Sequence, residues 1–213
     1  MAKSKQRESY HHGDLAAALT SAALKLIARH GAEGFSIREA AALVGVSPSA
    51  AYRHFADKAG LLAAVAKQGF AQLALDAQAA MAAARKRHRS AGTKAIAAFE
   101  AQGLAYVNFA VNNPEQFQAM FGRYGAGSQQ PVHNVCSADQ SPYELLKSVL
   151  DELLLTKVVT PAARKGAELL TWSTLHGLAN IMLSHSLMNY DSVNVDQVTL
   201  GIVRRLLHGL RAN

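Results

Sequence analysis

Between Glu39 and Asp57 the chain carries no carboxylate, and this same stretch gathers hydroxyls, an imidazole and a guanidinium. Ser49, Tyr52 and His54 can hydrogen-bond phosphate oxygens, Arg53 can fork onto a guanine edge, and Ala50 can touch a thymine methyl. A surface that meets the phosphates of a duplex has to be free of acidic side chains. Lys58 adds a cation at the start of the following helix, where ammonium and positive helix end together suit a phosphate. Arg38 stands in the first turn of a short preceding helix, and Ser36 and Ser47 cap the two short helices. With Pro48 these residues are the candidate contacts to double-stranded DNA.

Two short helices, about 36–44 and 48–54, must hold that surface. Gly45 supplies the positive φ of a tight turn, small Ala41 allows the helices to cross, and Ser47 launches the second helix. Ala40, Val44, Val46 and Ala51 turn inward. An ordinary αα-corner would satisfy the same spacing. Ahead of the pair, Leu15, Leu19, Ala22, Ala23, Leu26 and Ile27 form one apolar face of a helix from Asp14 to His30, stopped by Gly31.

Helix starts are well marked throughout. Ser36 to Glu39, Asn113 to Gln116 and Ser141 to Glu144 read as capping boxes. Pro follows the cap at Ser47, Asn113, Ser141 and Thr160, a position where its missing N–H costs nothing. Asp14, Asp57 and Asn194 can cap further helices. The spacing predicts helices of about 57–85, 93–112, 114–122, 142–157, 161–187 and 195–211, about nine in all. The fold class is therefore all-α: a three-helix head, a long helix, and a helical body. The expected divisions are a basic arm at 1–13, a head at 14–60 and a body at 61–213, with the segment from Arg123 to Gln140 as a loop.

Composition agrees. Of the 213 residues 41 are alanine and only 7% aromatic, a balance that favours helix–helix packing over sheets. Half of the chain is apolar, enough to bury a core. A single cysteine, Cys136, cannot close an intrachain disulfide, which fits a reducing, cytoplasmic setting. The net charge of +7 attracts polyanions. The stretch from Leu169 to Tyr190 lacks charged residues, but its Thr, Ser, His and Asn side chains argue against a membrane span.

The stretch from Gly31 to Leu62 resembles the N-terminal DNA-binding domain of TetR-type transcriptional regulators. The Gly45-Val46-Ser47 turn, Tyr52, His54-Phe55 and Lys58 followed by Leu61-Leu62 carry the resemblance, over about residues 14–70. It implies that Tyr52, His54 and Lys58 grip phosphates while Arg38, Pro48, Ser49, Ala50 and Arg53 lie at base edges. Ala40, Ala50 and Ala51 depart from the usual larger residues, so the operator sequence does not transfer. Tyr10 to Leu15 together with Trp172, His176 and Gly177 look like the subgroup whose effector domain is named for a Trp-His-Gly motif.

The resemblance further implies a ligand-responsive repressor, binding a pseudo-palindromic operator as a homodimer through its last two long helices. Val195, Val198, Ile202, Val203, Leu206 and Leu210 form a matching apolar face, which could also pack within its own subunit. An apolar or amphipathic effector is expected among Phe99, Tyr106, Phe109, Phe117, Met120, Phe121, Tyr124 and Trp172, with Gln102, His176 and Asn180 as polar anchors. Plain core packing would use the same residues, and His176 could be a hydrogen-bonded core residue.

Enzyme signatures are missing: no phosphate-binding Gly loop, nucleophile elbow or paired His motif is present. His11, His12, His88, His133, His185 and His208 lack the spacing of a metal site, and no cofactor is expected. The basic run from Arg85 to Arg89 reads as a solvated turn. The alternative function is a helical small-molecule-binding protein without DNA recognition.

Overall fold

The apolar face of the first helix is buried along its length, from Leu15 through Leu19, Ala22, Ala23 and Leu26 to Ile27. In the computed structural model, which describes residues 12–122, 141–184 and 194–212, that helix is α1 (His12–His30). It begins two residues ahead of Asp14, which stands inside it and not at its cap. Then follow α2 (Ile37–Val44), α3 (Pro48–Tyr52), α4 (Lys58–Arg85), α5 (Ala91–Asn112) and α6 (Pro114–Phe121). After the second described stretch begins come α7 (Pro142–Leu155), α8 (Pro161–Arg164) and α9 (Ala167–Ser184), and α10 (Val195–Ala212) closes the chain. No strand occurs among the described residues. Tyr124, Cys136, His11, His133 and His185 lie outside them.

The caps explain most helix starts. Ser36 accepts from the Glu39 amide while Glu39 accepts from the Ser36 amide, a complete box. Ser47, Asp57, Ser141, Thr160 and Asn194 each accept one backbone N–H of the first turn. The box expected at Asn113 does not form. Asn113 donates to the carbonyl of Phe109, and Gln116 reaches across to the carbonyl of Val65 on α4.

The helix expected at 161–187 is broken. Gly166 turns the backbone with φ 77°, and Arg164 bridges Asp151 of α7 and Glu168 of α9 at 2.7 Å each. These ion pairs fix the corner between α8 and α9, while residues 185–187 lie outside the described part. Arg85 is likewise no solvated turn residue: its guanidinium meets both carboxylate oxygens of Glu152 at 2.7 and 2.9 Å, tying the end of α4 to α7.

Two buried clusters divide along α4. Leu61, Leu62 and Val65 pack with α1, α2 and α3 around Phe35, Ile37 and Ala41. From Ala66 onward the inward residues of α4, among them Phe70 and Leu73, join α5, α6, α7, α9 and α10. Ala119 of α6 belongs to the head cluster, whereas its neighbour Met120 belongs to the body. A Cβ on Gly69 of α4 would sit 2.5 Å from the Met120 sulfur, so the bare backbone at Gly69 lets α6 press against α4. One short helix thus touches both cores.

Candidate nucleic-acid interface and effector cavity

Gly45 takes the left-handed conformation, φ 78°, that ends α2 and turns the chain into α3. Ala40, Ala41 and Ala51 are buried at the crossing, where larger side chains would separate the helices. With Ala51 pointing inward, Ser47, Pro48, Ser49, Tyr52 and Arg53 are left exposed, and Ala50 and His54 half-buried. The helix proper ends at Tyr52, and its bonding continues as a turn, with His54 and Phe55 donating to the carbonyl of Ala51. Arg38 is exposed and Ser36 half-buried at the start of α2.

Lys58 is engaged inside the head. Its Nζ donates to the carbonyl of Glu33 at 2.7 Å and lies 4.7 Å from the centre of the Phe35 ring. Burial lowers its pKa from the ordinary value, against the pull of Glu33 and Glu39. The ammonium therefore braces the turn between α1 and α2, with further donors on the same nitrogen available to a phosphate.

In the body, α4, α5, α7 and α9 surround a cavity of about 30 Å³. Leu73 and Ala77 come from α4; Phe99, Gln102, Gly103 and Tyr106 from α5; Pro142 and Leu146 from α7; Thr171, Trp172 and Leu175 from α9. None of these side chains is charged. Sites for drug-sized ligands run to roughly 300–1,000 Å³, so an effector would have to part the walls. Beside the cavity, the Tyr106 phenol lies 2.8 Å from Nδ1 of His176, and the His176 ring stacks on Trp172 with an interplanar angle of 14°. Burial raises the Tyr106 pKa and lowers that of His176, favouring neutral forms of both.

Family comparison identifies the two halves separately. The profile described as "Bacterial regulatory proteins, tetR family" matches residues 19–65, and the one described as "Tetracyclin repressor-like, C-terminal domain" matches residues 99–206, half of the chain. The chain belongs to the TetR family. As a TetR-family member it is a DNA-binding transcriptional regulator with a helix-turn-helix domain. A protein of unknown function from Rhodococcus sp. RHA1 is similar to it at 29% identity and TM-score 0.74, covering 96% of this chain and 100% of that one. A tetR-family regulatory protein from Rhodococcus RHA1 (21%, TM-score 0.65, 92% and 96% covered) shares the fold. So does the fatty acid degradation regulator FadR from Bacillus halodurans (16%, TM-score 0.62, 97% and 99% covered). No curated protein matches the chain.

In this TetR-family regulator the residues expected around an effector separate into groups. Phe99, Gln102, Tyr106 and Trp172 line the cavity. Phe109 and Met120 are buried in the body core, whereas Phe117 and Phe121, with Asn180, line a second, more open pocket of about 400 Å³ between α1, α6 and α9, where Phe121 also packs edge-on against Phe70. His176 meets the cavity wall through Tyr106 and Trp172, and Asn180 is exposed, donating to the carbonyl of His176. Thr171 and the contributions of α4 and α7 were not anticipated; a hydroxyl in the middle of an apolar helix face was the available signal for Thr171.

The apolar face of α10 also divides. Val203 and Leu210 are buried within the chain, together with Thr199 and Leu207, and Val195 packs at the core edge. Val198 is exposed, and Ile202 and Leu206 are half-buried. Among the described residues no cluster of three or more His, Cys, Asp or Glu could hold a metal ion, and no helix is long and apolar enough to cross a membrane.

Proposed function

We propose that the protein is a ligand-responsive repressor that binds a pseudo-palindromic operator as a homodimer in the cytoplasm, with no catalytic step of its own. The observation that carries this reading is the exposed, carboxylate-free face of α3. Tyr52, His54 and Lys58 would hold phosphates, with Ser36 and Ser47 at the backbone beside them. Arg38, Pro48, Ser49, Ala50 and Arg53 would meet base edges. Two such heads, spaced by one or more helical turns of about 34–36 Å, would enter successive major grooves.

Dimerisation through α9 and α10 is supported by the exposed Leu170 and Ile181 on α9 and Val198 on α10, flanked by Ile202 and Leu206. A Cβ on Gly177 would meet open space, so nothing inside the subunit requires glycine there, whereas a closely approaching partner helix would. The stacked Trp172 and His176, followed by Gly177, support placing the body in the Trp-His-Gly subgroup. Effector control rests on the cavity, because α4 forms one of its walls and carries the head at its other end. A ligand that moved α4 would shift the spacing of the two heads, with coupling of about 1–3 kcal/mol.

The test is an anisotropy titration with a duplex carrying the region upstream of the protein's own coding sequence. Specific binding with a steep salt slope is expected. Tyr52→Ala together with Lys58→Ala should weaken binding on every sequence and flatten that slope, the slope change coming from the lost ammonium, whereas Arg53→Ala should relax preference at a single position by about 1–3 kcal/mol. Binding that is absent or insensitive to salt would leave a helical small-molecule-binding protein instead.

A further inference from the structure

We infer that the body cavity takes a compact, uncharged, mainly apolar molecule bearing one hydroxyl, which Gln102 and Thr171 hold. The inference rests on reading the cavity as the effector site and names the chemistry that the site selects.

Two polar atoms in the lining have no partner. Gln102 is 8% exposed and Thr171 1%, yet neither Gln102 Oε1 nor Thr171 Oγ1 makes a hydrogen bond. Buried polar groups are expensive to leave unpaired, and native structures hold few of them without a use. The orientation of the Gln102 amide is decided by its other end: Nε2 points at the carbonyl of Pro142, 3.4 Å away. Exchanging N and O would set two acceptors against each other. The unpartnered atom of Gln102 is therefore an acceptor and calls for a donor.

Thr171 Oγ1 can donate or accept. Both residues line the one small cavity, where a single hydroxyl set between them would satisfy both, donating its hydrogen to Gln102 Oε1 and accepting one from Thr171. An ether or ketone brings no donor. A carboxylate brings none either, and it would be buried without a counter-charge, since no lining side chain is cationic. Tyr106 is already paired with His176, which leaves its ring as an apolar wall beside Phe99 and Trp172.

Trp172 is the only tryptophan in the chain, so its emission reports directly on the cavity wall. The full-length protein, without DNA, is titrated with benzyl alcohol, benzyl methyl ether and benzoate while Trp172 emission is followed. Benzyl alcohol should give a saturable change, the ether should bind about tenfold more weakly, and benzoate should give none. Gln102→Leu and the near-isosteric Thr171→Val should each bring the alcohol down towards the affinity of the ether. If Gln102→Leu does not fold, Thr171→Val decides alone. Equal affinity for alcohol and ether, tightest binding of benzoate, or no saturable change with any probe would overturn the inference. Operator binding by the unliganded protein is measured alongside. Its presence with failed probe binding sinks the hydroxyl assignment alone, and its absence sinks the regulator reading itself.

Discussion

The phenol oxygen of Tyr106 on α5 lies 2.8 Å from Nδ1 of His176 on α9, and this bond joins the inner wall of the cavity to the aromatic cluster around α6. Tyr106 meets the rings of Phe117 and Trp172 at centroid distances of 6.0 and 5.4 Å, and His176 meets Phe121 at 4.9 Å. Any movement of α9 against α5 is therefore felt by α6, which shares Ala119 with the core of the head.

Burial of the His176 imidazole at this bond makes stability depend on pH. Burial keeps the phenol protonated, and it pairs with Nδ1 of the neutral ring as donor or as acceptor according to the imidazole tautomer. Burial holds His176 below its ordinary value of 6.5, so the unfolded chain takes up the proton more readily than the folded one. The contribution to stability is complete above pH 6.5 and is lost as the pH falls towards the depressed folded value. Thermal unfolding of the wild type and of His176→Gln across this range should show the wild type losing Tm more steeply on acidification. Parallel curves would mean that His176 titrates alike in both states.

Lys58 should matter to the fold of the head as well as to DNA. Lys58→Met keeps the aliphatic stem over Phe35 but leaves the carbonyl of Glu33 without its donor. Urea denaturation should show a loss of about 1 kcal/mol, together with weaker operator binding at every sequence. Unchanged stability with weakened binding would make Lys58 a phosphate contact only.

Gly103 is held to glycine by α10. A Cβ there would sit 2.6 Å from Val203 Cγ2, and Val203 is fully buried and β-branched, with little freedom to turn aside. Helix propensity alone would make Gly103→Ala stabilising by about 1 kcal/mol. The clash should reverse the sign, for a net loss of about 1–3 kcal/mol in chemical denaturation. A stabilised variant would show that α10 can withdraw from α5 at no cost.

The head was legible because its signals are local. Ser36 with Glu39, Gly45, Ser47 and Asp57 act within a turn of where they stand, and each does what its type and spacing dictate. Signals that compete over distance were not legible. Asn113 and Gln116 have the spacing of a capping box, but Gln116 bonds Val65 on another helix. Lys58 finds its acceptor at Glu33, and Arg85 finds Glu152, partners far apart in sequence. The break at Gly166 was hidden because apolar periodicity continues on both sides of it, and the Asp151 and Glu168 pairs of Arg164 that stabilise it form only in the folded chain. The aromatic content of the body marked Phe99, Tyr106 and Trp172, which line the cavity, and Phe117 and Phe121, which line the pocket beside α6, but it did not tell Phe109, a core residue, from Phe99 of the same chemical type. Only the packing of α4 and α7 separates them.

If the exposed face of α3 enters the major groove, Ser49 stands at the protein–DNA contact. Ser49 is exposed and makes no contribution to either core, so Ser49→Glu should leave thermal stability unchanged while setting a carboxylate against the phosphates and base edges. Anisotropy titration with operator duplex should then show binding weakened by at least about tenfold, a loss of about 1.4 kcal/mol or more. Wild-type affinity for the operator in a folded Ser49→Glu protein would contradict the assignment of α3 as the DNA-reading helix.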